Sequence, residues 1–316
     1  MSGLVTLGET MGLIAADGIG PLEHARSFGL GLGGAESNVA IGVARLGGES
    51  TWLGRIGPDG TGDLIERRLR AEGVRTLAIR DPNFTGLMVK YRRTSGLMHV
   101  DYHRKGSAGS RLIPTDVPAE IVQAAQILHV TGITPALSDT ARATVFQAVE
   151  TAQAAGVTVS VDINYRAKLW SRYDAAPVLR DLVSRATIVF AGPDEAALVL
   201  GATKPGVDGP VVDGLAALGP SEIIVKDGPR GCTALLAGER FSVKALDVTV
   251  VDPVGAGDAF VAGYLADRLA GAAPADRLGT AIATGAFAVT VPGDCDGLPS
   301  RADLAALLSA TDDVAR

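Results

Sequence analysis

The sequence predicts an α/β fold in which a mostly parallel central sheet lies between two layers of helices. Short runs rich in β-branched residues alternate with amphipathic helical patterns over most of the chain, which is typical of such a sheet. The length of 316 residues suits one large domain with an accessory element, or two domains. Because 47% of the residues are hydrophobic and 20% are charged, we expect an ordinary folded protein.

The middle of the chain shows this alternation most clearly. Apolar residues recur at helical spacing over residues 139–155, and the run at 157–162, which follows Gly156, is typical of a buried strand. Elsewhere we predict helices at 39–46, 194–200, 259–270 and 275–289 and strands at 186–191 and 222–226.

Two segments depart from the alternation, and we predict that they form a small β-sheet lid. Segments 11–32 and 85–105 contain alternating or turn-rich stretches without helical periodicity, and the second turns at 94–96. Strands from two separated segments would project from the main sheet and could close over a ligand. Because lid sheets with an exposed apolar face often pair, we also expect a homodimer.

Charge and cysteine content exclude several classes of function. The net charge is −6 and no basic run is long enough to follow a phosphate backbone, so we expect neither a nucleic-acid nor a membrane partner. The two cysteines are far apart and have no nearby pair of histidines, which indicates no disulfide framework and no zinc site. Without a signal-like start or a long apolar run, a cytoplasmic location fits best.

The segment 252–258, Asp-Pro-Val-Gly-Ala-Gly-Asp, directly precedes an apolar helical run. Gly255 and Gly257 allow the main chain to turn and gather its N–H groups at a helix start, which favours an anion. A carboxylate at Asp258 could take a proton from an alcohol while these amides, with that of Ala256, hold the charge of a phosphoryl group. Taken alone, the pattern fits an ordinary helix N-cap equally well.

A second glycine cluster, Gly31-Leu32-Gly33-Gly34, leads through Ala35 to Asn38 into the predicted helix at 39–46. By itself it is better explained as a flexible turn before a packed helix. If both glycine clusters lie in one cleft at the carboxyl ends of parallel strands, the first can approach a sugar while the second binds phosphate.

These two segments, in their order and spacing, resemble the two signatures of the PfkB (ribokinase-like) carbohydrate kinases, and the similarity extends over about residues 3–308. The resemblance implies a ribokinase-like three-layer α/β/α domain over residues 1–316 that uses ATP and Mg²⁺. It makes Asp258 the general base and the preceding Gly-Ala-Gly amides the anion hole. It also assigns sugar contacts to Gly33, Gly34 and Asn38.

Segments 102–110, 129–137 and 162–170 further resemble the kinases of 2-keto-3-deoxygluconate within this family. That substrate is a keto acid, and its carboxylate calls for fixed guanidinium groups, for which Arg104 and Arg166 are the candidates. Tyr102 could add a hydroxyl from the lid, and Asn164 follows the end of a strand, where a pocket would begin. For each basic residue the alternative is a solvated surface charge.

Two positions depart from the pattern of these kinases. Met88 stands where they tend to carry a tyrosine, so one expected hydroxyl contact to the substrate is missing. The family's Asn-x-x-Glu motif begins here with Gly192 and keeps Glu195. Because a carboxylate can act through metal-bound water, we expect Glu195 to serve Mg²⁺ indirectly.

The nucleotide side is assigned through two further resemblances. Residues 226–231 read Lys-Asp-Gly-Pro-Arg-Gly and resemble the family's segment under the ATP phosphates, and the small-residue helix around 283–286 resembles the wall beside the adenine. For the helix, tight packing against the sheet is an equally good explanation. The residues assigned to the nucleotide are Lys226, Gly228, Arg230, Gly231, Ala283 and Ala286, with the 255–257 amides.

The sequence therefore predicts an ATP-dependent kinase of a keto-deoxy sugar acid. One alternative is a kinase of fructose, ribose or an amino sugar, which Met88 favours. The other is a ribokinase-fold sensor without catalysis, against which the intact Asp258 argues. The sequence leaves open the gluconate or galactonate epimer and whether a monovalent cation such as K⁺ activates the enzyme.

Overall fold

The computed structural model describes residues 2–94, 96–202, 205–207 and 209–314. Ser95, in the predicted turn of the lid, lies outside these residues. The strands, in chain order, are β1 (Ser2–Leu7), β2 (Met11–Ile19), β3 (Phe28–Gly33), β4 (Ser50–Ile56), β5 (Arg75–Arg80), β6 (Leu87–Thr94), β7 (Leu97–His103), β8 (Ala125–Thr131), β9 (Thr158–Asp162), β10 (Ile188–Ala191), β11 (Glu222–Lys226), β12 (Cys232–Leu236) and β13 (Glu239–Val243).

The α-helices alternate with the strands of the large sheet along much of the chain and continue after the last strand. They are α1 (Ala35–Arg45), α2 (Gly60–Ala71), α3 (Ala119–Gln123), α4 (Asp139–Ala154), α5 (Arg172–Ser184), α6 (Pro193–Leu200), α7 (Gly209–Ala216), α8 (Ala256–Leu269), α9 (Pro274–Ala288) and α10 (Arg301–Val314). No helix in the described part of the chain is both long enough and apolar enough to cross a membrane.

Nine strands form the large sheet in the order β13-β12-β11-β10-β9-β8-β1-β4-β5. The seven strands from β11 to β5 pair in parallel, whereas β12 and β13 add an antiparallel edge. The segments that follow the parallel strands therefore emerge at one edge of the sheet, where ligands bind in open α/β sheets.

Alternate side chains of the large sheet enter two separate cores. In β1, Leu4 packs with helices α1, α8 and α9, whereas Val5 packs on the opposite face with α4 and α5. The same alternation holds in β10, where Phe190 faces the α8 layer and Val189 the other. This confirms the predicted three-layer α/β/α fold with a mostly parallel central sheet.

The small sheet has the order β3-β2-β6-β7 and comes from the two segments that lack helical periodicity. Strand β2 pairs antiparallel with β3 and parallel with β6, and β6 pairs antiparallel with β7. Opposite pairs such as Met88 with Tyr102 and Lys90 with Val100 place these four side chains on one face. That the sheet moves as a lid stays a prediction.

Most differences from the predicted elements lie at their ends. The strand predicted from residue 186 begins only at Ile188, because Ala186 still donates to the Val183 carbonyl in the turn after α5 and the chain bends at Thr187. The helix predicted from residue 259 already begins at Ala256, since the left-handed Gly255 ends the preceding loop. The helix predicted at 39–46 likewise begins at Ala35, directly after Gly34.

Candidate active site

A cleft of about 1420 Å³ opens at the carboxyl edge of the large sheet, between that edge and one face of the small sheet. Pockets for a single small molecule commonly measure roughly 300–1,000 Å³, so this cleft has room for two substrates. Segments that follow β1, β8, β9 and β10 reach it, and side chains of β6 and β7 line its other side. Its lining includes Glu9, Ile133, Asn164, Glu195, Met88 and Tyr102.

The start of α8 forms a cradle of main-chain N–H groups at this cleft. Gly255 precedes the helix in the left-handed region with φ of 79°, and a Cβ atom there would collide with the carbonyl oxygen of Asp294. The amides of Ala256, Gly257 and Asp258 are the first of the helix and have no acceptor within it. Because they lie at the positive end of the helix dipole, they favour a bound anion.

Asn38 holds the Asp258 carboxylate in place. Its amide nitrogen donates to Oδ2 of Asp258 at 2.8 Å and to Oδ1 of Asp294 at 2.9 Å. The two helices that carry Asn38 and Asp258 approach closely, because a Cβ atom at Gly42 of α1 would lie only 2.5 Å from that of Ala262 in α8. The glycine thereby brings an amide and a carboxylate 220 residues apart into hydrogen-bond contact.

Asp258 is 8% exposed, and its surroundings favour the protonated form of its carboxyl group. Burial raises the pKa of Asp258, the hydrogen bond from Asn38 opposes this rise, Asp162 adds to it and Arg166 opposes it. A second amide, that of Asn164, lies 3.5 Å from Oδ1, and Asn164 adopts an uncommon φ of 39° to present it. A carboxylate with a raised pKa is a stronger base than a solvated one.

Two further buried carboxyl groups adjoin Asp258. Burial raises the pKa of Asp294 to about 7, and the neighbouring Asp258 charge adds to the rise. Burial also raises the pKa of Glu36 to about 7, although Glu36 accepts hydrogen bonds from Thr131 at 2.8 Å and Thr134 at 2.7 Å. Near neutral pH both groups are therefore partly protonated, which limits the negative charge around Asp258.

Lys226 lies at the end of β11 and forms an ion pair with Asp162, from which its Nζ is 2.8 Å. Burial alone would lower the pKa of Lys226, but Asp162 and Glu195 raise it. Burial and the Asp162 charge raise the pKa of Glu195, whose two oxygens accept the main-chain N–H groups of Gly192 at 2.6 Å and Tyr165 at 2.8 Å. Glu195 thus ties α6 to the segment after β9.

Among the described residues, the other side chains assigned to the nucleotide do not line this cleft. Arg230 is exposed and pairs with Asp227 within three residues, and a Cβ atom at Gly231 would collide with the Val243 carbonyl. Ala283 is 3% exposed and packs in the core between α9 and the sheet. The residues assigned to the nucleotide that do not line the cleft are Gly228, Arg230, Gly231, Ala256, Ala283 and Ala286, of which Ala256 contributes only its main-chain amide to the cradle.

Arg104, one of the two predicted carboxylate ligands, lines the cleft but is paired within the protein. Its Nη2 lies 2.5 Å and its Nε 2.7 Å from Oε2 of Glu9. The Ser107 hydroxyl donates to the other Glu9 oxygen. Glu9 is only 2% exposed, so Arg104 compensates a buried charge, and its guanidinium also lies 5.8 Å from the centre of the Tyr102 ring.

Arg166 differs from Arg104 because its guanidinium has no hydrogen bond or ion pair to another residue in the described part of the chain. It is exposed within the cleft and close enough to Asp258 to affect that carboxylate. Nearby, Lys168 donates to the Val100 carbonyl at 3.1 Å and lies 5.6 Å from the Tyr102 ring. The segment after β9 thus contacts the small sheet and leaves one guanidinium free.

The two consecutive glycines of the first cluster differ in whether they line the cleft. Gly34 lines the cleft, whereas the Cα of Gly33 is covered by the Asp294 carboxylate and the Met88 methyl group. Met88 is 6% exposed, packs with other apolar residues of the small sheet and also lines the cleft. At this position the wall of the cleft is apolar.

Sequence reasoning missed several charged groups at the cleft, namely Glu9, Glu36, Lys90 and Asp294. Glu9 follows the end of the first strand, which is a signal that could have been used. Glu36 is a carboxylate beside Asn38 in the first turn of an apolar helix. The residues around Lys90 and Asp294 in the sequence do not indicate a position at the cleft, because the hydrogen-bond partners of both side chains are distant in sequence.

The chain matches the family model described as pfkB family carbohydrate kinase over residues 1–301. It is 38% identical over 311 residues to the 2-dehydro-3-deoxygluconokinase of Bacillus subtilis strain 168, covering 97% of this chain and 95% of that protein. It is 34% identical to the enzyme of the same name from Thermoproteus tenax (98% and 95% covered). It is 36% identical to a fructokinase of Klebsiella pneumoniae (86% and 90% covered).

Solved structures share this fold over nearly the whole chain. A candidate ribokinase II from E. coli, solved with ATP and Mg²⁺, has a TM-score of 0.90 at 27% identity (98% of this chain, 100% of that one). The 2-dehydro-3-deoxygluconokinase of Thermotoga maritima has a TM-score of 0.89 at 26% identity (98% and 99%). A double-mutant fructokinase of Vibrio cholerae, solved with fructose, ADP and potassium, has a TM-score of 0.84 at 27% identity (97% and 98%).

Proposed function

Because this chain belongs to the pfkB family of carbohydrate kinases, we propose that it transfers the γ-phosphoryl group of ATP to the terminal hydroxyl of 2-keto-3-deoxygluconate, also called 2-dehydro-3-deoxygluconate. One observation carries the reaction class: the buried Asp258 carboxylate faces the cleft beside the free amides of a helix start. The acidic substrate is supported by the unpaired Arg166 and by the two relatives with that name.

Asp258 is the group that receives the proton of the attacking hydroxyl. Its raised pKa makes it a competent base, and the Asn38 amide keeps one oxygen fixed so that the other can face the alcohol. The amides of Ala256 and Gly257 stabilise the charge on the transferred group. We expect the base to contribute roughly 10²- to 10⁴-fold, with most of the remaining acceleration coming from positioning.

Mg²⁺ fits this site through water. In the described residues, no cluster of three or more His, Cys, Asp or Glu side chains is arranged to hold a metal ion directly. Mg²⁺ keeps several waters in such sites and, when bound, neutralises charge on the phosphates. Glu195 and Asp162 would accept hydrogen bonds from its water shell, because the carboxylate oxygens of Glu195 retain acceptor capacity beyond their main-chain bonds.

Arg166 is the principal ligand for the substrate carboxylate in this proposal. Its free guanidinium can form a planar, two-point contact with a carboxylate, whereas that of Arg104 is already engaged by Glu9. Arg104 then acts mainly by holding Tyr102, over whose ring it lies, so that the Tyr102 hydroxyl can face the sugar. Asn164 and Gly34 would contact the sugar from the large-sheet side.

Lys226 is the side chain that we assign to the nucleotide phosphates. Its Nζ would lie 3.7 Å from a Cβ atom at Gly257, so its charge lies beside the cradle. The assignments of Gly228, Arg230, Gly231, Ala283 and Ala286 remain proposals, and they require the nucleoside to extend beyond the cleft along β11 and α9. Closure of the small sheet, a homodimer and a cytoplasmic location also remain predictions.

The proposal is tested by incubating the chain with Mg·ATP and 2-keto-3-deoxygluconate and identifying the product. We expect equimolar ADP and a sugar acid whose phosphate ester sits on the terminal carbon, measured by ³¹P and ¹³C NMR. Asp258→Asn is the matched control and should give almost no ester. Hydrolysis of ATP without an ester, or an ester at another carbon, would count against the proposal. The galactonate epimer serves as a parallel substrate.

A kinase of fructose is the second candidate, because Met88 offers no hydroxyl to a sugar acid and makes that wall apolar. The Klebsiella pneumoniae relative bears the name of this activity. Faster phosphorylation of fructose than of the keto-deoxy acids would favour this candidate and would leave the reaction class and the role of Asp258 unchanged.

A further inference from the structure

Lys90 is a buried cation that has no role in the proposed reaction. It lies on β6, on the same face as Met88 and Arg92 because side chains alternate along a strand. Only 6% of it is exposed, and it lines the cleft. Lysine is almost never buried to this degree unless it is paired, so its partners indicate what it does.

The partners of Lys90 belong to the loop that enters the phosphate cradle. Its Nζ donates to Oδ2 of Asp252 at 2.6 Å and to the Gly293 carbonyl oxygen at 2.9 Å. Asp252 is 1% exposed and also accepts the N–H groups of Val254 at 3.1 Å and Gly293 at 3.2 Å. Asp252 therefore holds the loop before Gly255 together, and Lys90 supplies the positive charge that its buried carboxylate needs.

A second cation from the same strand supports this arrangement. Arg92 donates to the carbonyl of Val251, and its Nη2 lies 3.8 Å from Oδ2 of Asp252. The small sheet thus places two positive charges beside the loop that precedes α8. Both reach oxygens immediately before the cradle.

Carboxylate and main-chain carbonyl oxygens are also the ligands that a monovalent cation takes in place of its water. In this chain those oxygens of Asp252 and Gly293 are engaged by an ammonium group. We propose that Lys90 is a tethered cation that takes the place of a free monovalent cation beside the cradle. It is a positioning residue, because it acts on a bound phosphate through Asp252 and the loop, and the inference needs only that the cradle binds phosphate.

The tether joins phosphate binding to the position of the small sheet. Lys90 moves with β6, whereas Asp252 moves with the loop before α8. If the small sheet swung away, the ammonium would leave Asp252, and the loop before α8 would lose that hydrogen-bonded ion pair. We therefore expect the loop before the cradle to be held most firmly while the small sheet lies over the cleft.

The first test compares rates in different salts. The wild type, Lys90→Met and Arg93→Met are assayed at equal ionic strength in tetramethylammonium, potassium or ammonium chloride. Arg93 is exposed on the opposite face of β6 and serves as the control. We expect wild-type and Arg93→Met rates that do not depend on the cation, and a loss of about 10- to 100-fold for Lys90→Met in tetramethylammonium. Potassium or ammonium should restore part of that loss.

The second test uses the melting temperature and needs no substrate. Lys90→Met removes the ammonium group that is hydrogen-bonded to the buried Asp252 carboxylate and leaves only the more distant Arg92 beside it, so potassium or ammonium should raise the melting temperature of the variant above that in tetramethylammonium. The wild type should show no such difference. Because this measurement is independent of the sugar, a failure of the proposed substrate leaves it intact. In the double variant Lys90→Met, Asp252→Asn the response to cations should disappear.

Three results would overturn the inference. One is a wild type that requires potassium for full rate, and another is full activity of Lys90→Met without any small cation. The third is a loss in Lys90→Met that neither rate nor melting temperature recovers with cations, since a purely packing role predicts that outcome. Lys90→Gln is the second neutral variant should Lys90→Met not fold, and it should show the same response to cations.

Discussion

The two sides of the cleft differ in how their functional groups are held. On the helix side, Asp258 is fixed by the buried amide of Asn38 and by its place in the first turn of α8. On the side of the small sheet and the segment after β9, Arg104 is bound to Glu9, while Arg166 is exposed and has no partner among the described residues. Under the proposed roles, the reaction would rest on rigid main chain and buried hydrogen bonds, and the choice of substrate would rest largely on the unpaired Arg166.

Such a division would allow one architecture to serve kinases of different sugars. A change on the helix side would disturb phosphoryl transfer to any alcohol. Under the proposal, substitution of a side chain such as Met88 or Arg166 would change what the cleft accepts and leave the cradle intact. Variants on the two sides should accordingly fail in different ways.

The largest expected effect belongs to Asp258→Asn. The amide keeps the size of the carboxylate but cannot accept the proton of the attacking hydroxyl, so kcat should fall by roughly 10²- to 10⁴-fold. Nucleotide affinity, measured by isothermal titration, should stay near that of the wild type because the cradle amides are unchanged. A variant that turned over at the full rate would remove Asp258 from the role of base.

Arg166→Ala comes next and tests the other side of the cleft. Loss of a charge-assisted contact to the substrate carboxylate should raise KM for 2-keto-3-deoxygluconate about 10- to 100-fold. The KM for ATP and the rate on fructose should change little. An equal rise for acidic and neutral sugars would contradict the assignment of a carboxylate ligand.

Arg104→Ala should differ from Arg166→Ala because it leaves Glu9 buried without its partner. We expect a clear fall in melting temperature, which Arg166→Ala should not show. The double variant Arg104→Ala, Glu9→Gln removes the unpaired charge and should regain part of that stability. If Arg104→Ala were as stable as the wild type and lost only substrate affinity, Arg104 would be a direct ligand.

Asn38→Ala should have a moderate effect that appears in the pH profile. The hydrogen bond from Asn38 lowers the pKa of Asp258, so its loss raises that pKa further. Since kcat/KM falls when Asp258 becomes protonated, the acidic limb should move to higher pH. Asn164→Gly, which removes a contact of 3.5 Å and tolerates the left-handed backbone, should move it less. Coincident profiles for Asn38→Ala and the wild type would contradict this account.

Asp294→Asn should have the smallest effect, on stability. The pKa of Asp294 is about 7 in the folded protein against a usual 3.8, so ionising it costs stability as pH rises between these values. The new amide oxygen in this variant would still accept the Asn38 hydrogen bond, but the side chain could no longer ionise. The melting temperature of the variant relative to the wild type should therefore be higher at about pH 8 than at about pH 5. If this difference in melting temperature were larger at about pH 5 than at about pH 8, the folded protein would instead stabilise Asp294 as a carboxylate.

The order of strands and helices could be predicted from the sequence because the hydrophobic period is local. The predicted strand at 222–226 coincides with β11, and the lid segments supply β2, β3, β6 and β7. Helix starts were predicted too late where glycine, not a polar side chain, precedes the first turn, as at Gly255 and Gly34. At Gly255 the left-handed backbone that ends the loop is one that glycine adopts easily and that no neighbouring residue signals.

The site was only partly predictable, for a different reason. The motif at 252–258 and the early glycine cluster indicated the cradle, Asp258 and Asn38. The pairing of Arg104 with Glu9, 95 residues away, and of Lys90 with Asp252, 162 residues away, depends on how the two sheets meet. A basic residue identified from sequence is free to bind a ligand only if no buried carboxylate pairs with it. Whether such a pair forms depends on the tertiary structure.

The central claim is tested most directly by the ratio of kcat/KM for 2-keto-3-deoxygluconate to that for fructose in the wild type. A free guanidinium at Arg166 predicts a ratio above about 10, and Arg166→Ala should reduce it toward unity. A wild-type ratio below one, unchanged in Arg166→Ala, would contradict the assignment of a sugar acid as substrate.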